Sequence, residues 1–307
     1  MRMRLLAAVI PAAVVALAVT ACTSAAGSAG DPKGVISAIG AENQYGDVIA
    51  QVGGPYVTVT SIMSNPNTDP HTFEASAQVA SEINGAQLVV QNGVGYDGFM
   101  DSLENTAGAG GKVIDVQKLL GLPDSTPNPH LWYKPGTMQA VANAVASDLG
   151  DIQPSHATYF KKRAAAFIAS LDAWTNAINT FKAKYPDTPV ATTEPVADYM
   201  LQAVGADNMT PWALQADIMN GTDPSAQDVA AQQALFSQHK VKVFLYNQQV
   251  TDSLTESFIQ LAKQNNIPVV GVYETMPTPG YDYQSWMVAE VQALTKAVAS
   301  GTSTEQL

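Results

Sequence analysis

The 307-residue sequence contains a single cysteine, at position 22, and only 14% of its residues are charged. One cysteine cannot form a disulfide within the chain or a group of thiolate ligands, so a metal site must use nitrogen and oxygen donors. Lys and Arg number 15 against 27 Asp and Glu. The resulting net charge of −12 repels nucleic acid phosphates and favours cations, so we expect no nucleic-acid partner.

The sequence also lacks the local signatures of several enzyme classes. We find no G-x-S-x-G, Walker or H-E-x-x-H motif, which are typical of nucleophilic hydrolases, nucleotide hydrolases and zinc proteases. A G-x-G-x-x-G pattern does occur at 93–98, and Asp115 ends the next predicted strand. We interpret this pattern as a tight turn, because Asp97 would place a negative charge in a phosphate-binding loop.

The N-terminal segment predicts export from the cytoplasm. Two arginines precede an apolar run at 5–19, which is too short to span a bilayer and is typical of a secretory signal. The residues V-T-A-C ending at Cys22 resemble a lipobox, so we predict a signal peptide over 1–21 and lipidation of Cys22. Small polar residues over 22–33 predict a flexible tether to the membrane. An ordinary signal peptide cut near Ala26 is the alternative.

From residue 34 onward, strand-like runs alternate with helical ones, which predicts an α/β fold with two lobes. Strands are predicted at 35–39, 57–62, 88–91, 113–116, 190–193, 241–246 and 269–273. Shorter helices are predicted at 75–83, 98–104, 137–149, 196–204, 226–238, 254–264 and 284–299.

Between the two groups of strands, apolar residues from Phe160 to Phe181 keep a helical spacing and predict one long helix over 154–186. We therefore predict an N-terminal lobe at 34–150, a linking segment at 151–186 and a C-terminal lobe at 187–307. Ligands of such sheets bind beyond the carboxyl ends of the strands, which points to the cleft between the lobes.

Two of the four histidines lie in loops that follow predicted strands. His71 belongs to a D-P-H loop after the second strand, and His130 belongs to an N-P-H-L-W loop after the fourth. His156 and His239 fall at helix ends, where we predict ordinary structural roles. The loop histidines are therefore the candidates for metal ligands.

Two acidic residues of the C-terminal lobe follow apolar strands in the same way. They are Glu194 and Glu274. Glutamate is rarely buried without a partner, and a divalent cation would compensate both carboxylates while binding two imidazoles. Asn92, Trp132 and Asn247 lie near the expected strand ends, where each is either a neighbour of the site or an ordinary loop residue that serves hydrogen bonding or packing.

The order of these features resembles a known family. The D-P-H loop followed by Phe73 and Glu74, the N-G-V-G strand end at 92–95, the N-P-H-L-W loop and the long central helix resemble the TroA-like, or cluster A-I, metal-binding lipoproteins of bacterial ABC importers. The resemblance implies two lobes, each a mainly parallel β-sheet flanked by helices, joined by one long rigid helix. It further implies a monomeric, non-enzymatic receptor that delivers manganese, iron or zinc to an ABC permease.

The resemblance implies four ligands, two from each lobe: His71, His130, Glu194 and Glu274. Family members usually have aspartate at the fourth position, and Asp282 is the nearest substitute for Glu274. Many zinc-importing relatives also carry a loop rich in histidine and acidic residues after the first ligand, and this chain has none.

The ligand set suits the higher coordination of Mn²⁺ or Fe²⁺, although Zn²⁺ also accepts His and Glu. We favour manganese or iron. Two other functions stay open at this point, namely a secreted metal-dependent hydrolase with a bound water and a surface adhesin in which the metal is structural.

Overall fold

The strands form two parallel sheets, each with its carboxyl ends along one edge. The structure is a computed structural model that describes residues 34–66, 73–100, 111–277 and 279–307. The first sheet has the order β2-β1-β3-β4, with β1 Ile36–Glu42, β2 Val57–Met63, β3 Leu88–Gln91 and β4 Lys112–Asp115. The second has the order β6-β5-β7-β8, with β5 Thr188–Thr192, β6 Ala206–Asn208, β7 Val243–Asn247 and β8 Val269–Val272.

The central strands are buried because helices cover the sheets. Every residue of β3, β7 and β8 is buried, as expected for parallel strands covered on both faces. The helices are α1 Asn43–Gly53, α2 Ala77–Gly85, α3 Val116–Leu119, α4 Thr137–Ile152, α5 Ala157–Ser170, α6 Asp172–Lys184, α7 Asp198–Val204, α8 Trp212–Met219, α9 Ala226–Ser237, α10 Ser253–Gln264 and α11 Tyr283–Ser300. The predicted fold of two helix-flanked parallel sheets is confirmed.

The two sheets belong to one compact unit, Lys33–Leu307. Helix α5 packs against α1 and α4 beside the first sheet, whereas α6 packs against α7 and α11 beside the second. A single apolar cluster runs from Ile36 in β1 to Ala297 in α11. No helix in the described ranges is long and apolar enough to cross a membrane.

The predicted single helix over 154–186 differs from the structure at Leu171. Pro154–His156 form a 3-10 turn, and the segment that follows divides into α5 and α6 at Leu171. The Ser170 hydroxyl donates to the Phe167 carbonyl (2.6 Å), and the Leu171 N–H donates to Ile168, three residues back (3.2 Å). This local hydrogen bonding tightens the turn, and such breaks are not visible in hydrophobic spacing.

Three helices and one strand were not predicted: α1, α3, α8 and β6. In α1 the buried residues Tyr45, Val48, Ile49 and Val52 do follow helical spacing. The glycine at position 46 obscured that pattern. A Cβ on Gly40 would lie 2.3 Å from the Gly46 nitrogen, so glycine lets α1 pack closely over the end of β1.

Four predictions fall outside the described residues. They concern the signal peptide with Cys22, the tether over 22–33, the loop that carries His71, and the second half of the helix predicted at 98–104.

Candidate metal-ion site

His130 is fully buried, and the side chain of Asn128 orients its ring. The Asn128 Oδ1 atom lies 2.8 Å from His130 Nδ1 and accepts the His130 backbone N–H at 3.0 Å. The Asn128 amide nitrogen donates to the Pro195 carbonyl at 2.8 Å, which fixes which end of the amide is the acceptor. Nδ1 therefore carries a proton, and in the neutral ring Nε2 presents its lone pair on the other side.

Glu274 follows β8 and faces that lone pair. Its Oε2 lies 3.3 Å from His130 Nε2, and both side chains are fully buried. A lone pair facing a carboxylate is unfavourable unless a proton or a metal ion lies between them. Two ligand atoms about 2.1 Å from one ion at a tetrahedral angle lie about 3.4 Å apart. The two side chains are thus spaced as ligands of a shared cation.

Contacts from both lobes hold the segment that carries Glu274. The Gln249 Oε1 atom accepts the backbone N–H groups of Glu274 (2.8 Å) and Thr275 (2.7 Å). The Gln44 amide, from α1 in the first lobe, donates to the Glu274 carbonyl at 3.2 Å. Asn43 exchanges two hydrogen bonds with the backbone of Met276, at 2.8 and 3.0 Å.

Glu194 follows β5 and is 2% exposed. The Asn247 amide nitrogen, at the end of β7, donates to Glu194 Oε1 at 3.2 Å and also to Glu274 Oε1. One amide group therefore bridges the two carboxylates. Two buried acids this close repel each other, so a cation bound beside them would be stabilised strongly.

The structure connects three of the four predicted ligands. His130, Glu274 and Glu194 form a chain of contacts, whereas His71 lies outside the described residues. Within the described ranges, no three His, Cys, Asp or Glu side chains converge closely enough to hold an ion by themselves. The complete ligand set therefore stays a prediction.

The alternative fourth ligand, Asp282, has a different environment. Its exposed carboxylate caps α11 by accepting the Ser285 N–H at 2.8 Å. This contact favours Glu274 over Asp282 as the ligand.

The two other histidines, for which we predicted structural roles, lie away from these ligands in their contacts. His156 stacks on Tyr56 with ring centroids 3.9 Å apart, and His239 is exposed.

The three candidate neighbours lie around the site. The Asn92 amide donates to the carbonyl of Pro129, beside His130, at 2.8 Å. The Trp132 ring stands edge-on to the His130 ring at 5.4 Å, and Asn247 bridges the two carboxylates.

Sequence reasoning missed three polar residues of the site: Tyr96, Asn128 and Gln249. The Tyr96 hydroxyl donates to Glu274 Oε2 at 2.8 Å. Asn128 could have been identified, because it precedes the histidine in the N-P-H motif. The other two act across contacts between distant segments and carry no local signal.

The glycine-rich segment at 93–98 forms a turn whose first amides are already occupied. The Asp97 carboxylate accepts the backbone N–H groups of Asn92 (2.6 Å) and Gly93 (2.9 Å). Gly93 and Gly95 have φ of +77° and +73°, which glycine adopts without strain. These two N–H donors thus bind a carboxylate of the protein itself and are not available to bind a phosphate.

Comparison with known proteins identifies a family for most of the chain. A protein-family model described as "ZnuA: Zinc-uptake complex component A periplasmic" matches residues 41–297. Manganese-binding lipoprotein MntA of Bacillus subtilis is 28% identical over 185 residues, covering 57% of this chain and 58% of that protein. The chain spans 47–61% of the length of three curated relatives that it matches.

Solved structures show the same fold. A mutant of the laminin-binding adhesin Lmb of Streptococcus agalactiae is 19% identical, with a TM-score of 0.72, covering 86% of this chain and 99% of that chain. The solute-binding protein FpvC of Pseudomonas aeruginosa, in complex with Mn²⁺, is 20% identical, with a TM-score of 0.70, covering 87% of this chain and 98% of that chain.

Proposed function

The chain belongs to the ZnuA family of periplasmic zinc-uptake components, and we propose that it is the receptor of an ABC importer that captures a divalent transition-metal ion. The 3.3 Å contact between the His130 Nε2 lone pair and the Glu274 carboxylate is the observation that carries the proposal. A metal ion between these atoms satisfies both groups without a second proton on the ring.

In this proposal each lobe supplies two ligands. His71 and His130 come from loops of the first sheet, and Glu194 and Glu274 follow strands of the second. Asn128 holds the ring of His130, and Asn247 holds the two carboxylates. The protein itself catalyses no reaction, because family members are transport components.

We propose manganese or iron as the transported ion, with zinc as the alternative. Two carboxylates and two imidazoles suit Mn²⁺ and Fe²⁺. Carboxylate oxygens are typical ligands of manganese, whereas thiolates, which this site lacks, select softer metal ions. Zinc binds the same donors, and by the Irving–Williams order a given site binds it more tightly than manganese. Affinity in solution alone therefore does not identify the transported ion.

We further propose an extracytoplasmic monomer, anchored to the membrane through lipidated Cys22, that passes its ion to an ABC permease. The tether over 22–33 would let the folded unit reach its partner while staying at the membrane surface. Metabolic labelling with a palmitate analogue, compared between the wild type and Cys22→Ser, tests the anchor, and equal labelling of both would reject it.

Binding of metal to the purified, metal-free protein tests the main proposal. We expect one Mn²⁺ per chain by isothermal titration calorimetry, and His130→Ala should abolish this binding. At a free Mn²⁺ concentration 100 times Kd, the free energy of unfolding should rise by about 2.7 kcal/mol. A protein that binds neither Mn²⁺, Fe²⁺ nor Zn²⁺ would contradict the proposal.

The same experiment separates the receptor from the structural-metal adhesin. A receptor must fold before it binds its cargo, so the metal-free protein should unfold cooperatively in a thermal melt. An unfolded metal-free protein that folds only with metal would indicate a structural ion instead.

A further inference from the structure

Glu42 is a buried carboxylate that the four predicted ligands do not include. It ends β1 and is 1% exposed. Among the described residues, neither carboxylate oxygen has a hydrogen-bond partner other than the backbone N–H of Glu42 itself. Within the described ranges, the lysine ion pairs involve other acids, namely Asp115, Asp148, Asp151 and Glu305.

The position of Glu42 in the sheet places it at the ligand edge. Strand β1 lies between β2 and β3, and Glu42 pairs in register with Met63, the last residue of β2. The loop carrying His71 follows β2, and the turn carrying Tyr96 follows β3. Because parallel strands end on the same edge, Glu42 lies between the segments that lead to the site.

Contacts of the next residues along the chain place Glu42 beside a predicted ligand. The Asn43 amide donates to the Met276 carbonyl at 2.8 Å, and the Gln44 amide donates to the Glu274 carbonyl at 3.2 Å. The turn after β3 reaches the same ligand, because the Tyr96 hydroxyl donates to Glu274 Oε2 at 2.8 Å. The start of α1, directly after Glu42, and the turn after the neighbouring strand therefore both contact Glu274.

The charge of Glu42 is not balanced by the described surroundings. Burial raises the pKa of Glu42, and the nearby carboxylate of Asp97 raises it further. Asp97 already accepts two backbone N–H groups, which stabilise its ionised form and leave Glu42 beside a like charge. A buried carboxylate without a counter-ion is unfavourable as an anion, so this group is poorly satisfied unless a cation is present.

We propose that Glu42 is a third carboxylate of the cargo site, and that ion binding draws Glu42, Glu194 and Glu274 closer together than they lie in this structure, in which no three such groups converge among the described residues. This inference rests on the proposed function. An additional carboxylate oxygen would favour cations that prefer oxygen donors and accept more than four ligands, such as Mn²⁺. It would also explain why an unpartnered acid is retained at the centre of the ligand edge.

Removing the charge while keeping the shape tests the inference. We expect Glu42→Gln to weaken Mn²⁺ binding about tenfold or more by calorimetry, since loss of a supporting partner of a metal site typically costs 10–100-fold. Glu42→Asp keeps the charge, but its side chain is one methylene group shorter and places the charge farther from the ion. Its Kd should therefore lie between those of the wild type and Glu42→Gln.

Asp47→Asn is the matched control. This acid lies in α1, five residues from Glu42, and its carboxylate accepts the Tyr283 N–H at 3.0 Å. Its pKa is raised by burial, and its hydrogen bonds go to Tyr283 and Gln51 rather than to a predicted ligand. The substitution removes one acidic charge from the helix that follows Glu42 and should leave Kd for Mn²⁺ within about twofold.

The outcomes distinguish this inference from the proposed function. If Glu42→Gln and Glu42→Asp both bind Mn²⁺ like the wild type while His130→Ala does not bind, the role of Glu42 is refuted and the receptor function stands. A change in the melting temperature of the metal-free protein without a change in Kd would also refute it, because that pattern indicates a structural role. Wild-type protein that binds no metal would reject the receptor function itself.

Discussion

The direction in which the His130 imidazole points depends on one amide side chain. We expect Asn128→Ala to weaken Mn²⁺ binding by about 10–100-fold, because the ring loses the acceptor that fixes its Nδ1 proton and its orientation. Calorimetry on the metal-free variant, whose fold is verified by circular dichroism, measures the effect.

Tyr199→Phe is the control for loosening of this loop. It removes the hydroxyl that donates to the backbone carbonyl of Asn128 at 3.0 Å but leaves the amide in place. We expect nearly wild-type affinity. Equal weakening by both variants would mean that the loop as a whole, rather than the orientation of the ring, determines binding.

At the scale of single residues, the sequence predicts candidate metal ligands but not the side chains that hydrogen-bond to them. Glu194 and Glu274 follow apolar strands, so their place at the sheet edge is visible in the sequence. Glu42 also ends a strand, but it lies three residues beyond the strand predicted at 35–39, and α1 begins directly after it without a loop. Tyr96 and Gln249 contact Glu274 from positions 178 and 25 residues away, and no local pattern encodes such contacts.

At the scale of elements, the close contact between β1 and α1 sets the position of Glu42. A Cβ at Gly40 would meet backbone atoms of Gly46 at 2.3 and 2.8 Å, and backbone cannot move aside as a side chain can. We expect Gly40→Ala to lower the free energy of unfolding by about 1–3 kcal/mol or more, as overpacking does. Chemical denaturation measures this loss.

Gly85→Ala provides the comparison for this substitution. A Cβ there would meet no atom within 4 Å, and the residue ends α2. Alanine has the higher helix propensity, so stability should stay unchanged or rise slightly. Similar destabilisation by both substitutions would show that lost backbone freedom, rather than the contact with α1, explains the first result.

The elements also show why the strands were easier to predict than the helix boundaries. Parallel strands buried on both faces have continuous apolar runs, and the main strands of both sheets were recognised from them. The break at Leu171 depends on one hydroxyl, that of Ser170, which donates to Phe167 and accepts from the Gln284 side chain at 2.7 Å. Hydrophobic periodicity contains no information on such a contact.

At the scale of the whole molecule, hydrogen bonds join the ligand segments of the two lobes. The Tyr133 hydroxyl donates to the Tyr273 carbonyl at 2.9 Å, next to Glu274. The Tyr283 hydroxyl donates to the Trp132 carbonyl at 2.6 Å, close to His130. The two lobes should therefore unfold together, and a thermal melt of the metal-free protein should show one transition with equal calorimetric and van't Hoff enthalpies.

A buried acid close to these contacts, Glu290, should make the stability of the protein depend on pH, because it is protonated in the folded state. Burial raises the pKa of Glu290 from 4.5 to about 8, partly offset by hydrogen bonds from Trp286 and Tyr133. The folded state retains this proton where the unfolded state releases it. Its contribution to stability is therefore complete below pH 4.5 and is lost as the pH rises to about 8.

Glu290→Gln should remove this part of the pH dependence, because the neutral amide cannot ionise. Between pH 5 and 8, the slope of the unfolding free energy should become less negative by up to about 1.4 kcal/mol per pH unit. Urea denaturation at pH 5, 6, 7 and 8 measures the slope, and the exposed Glu256→Gln should keep the wild-type value. Parallel curves for Glu290→Gln and the wild type would mean that Glu290 is ionised in the folded protein, in which case the hydrogen bonds from Trp286 and Tyr133 outweigh the cost of burial.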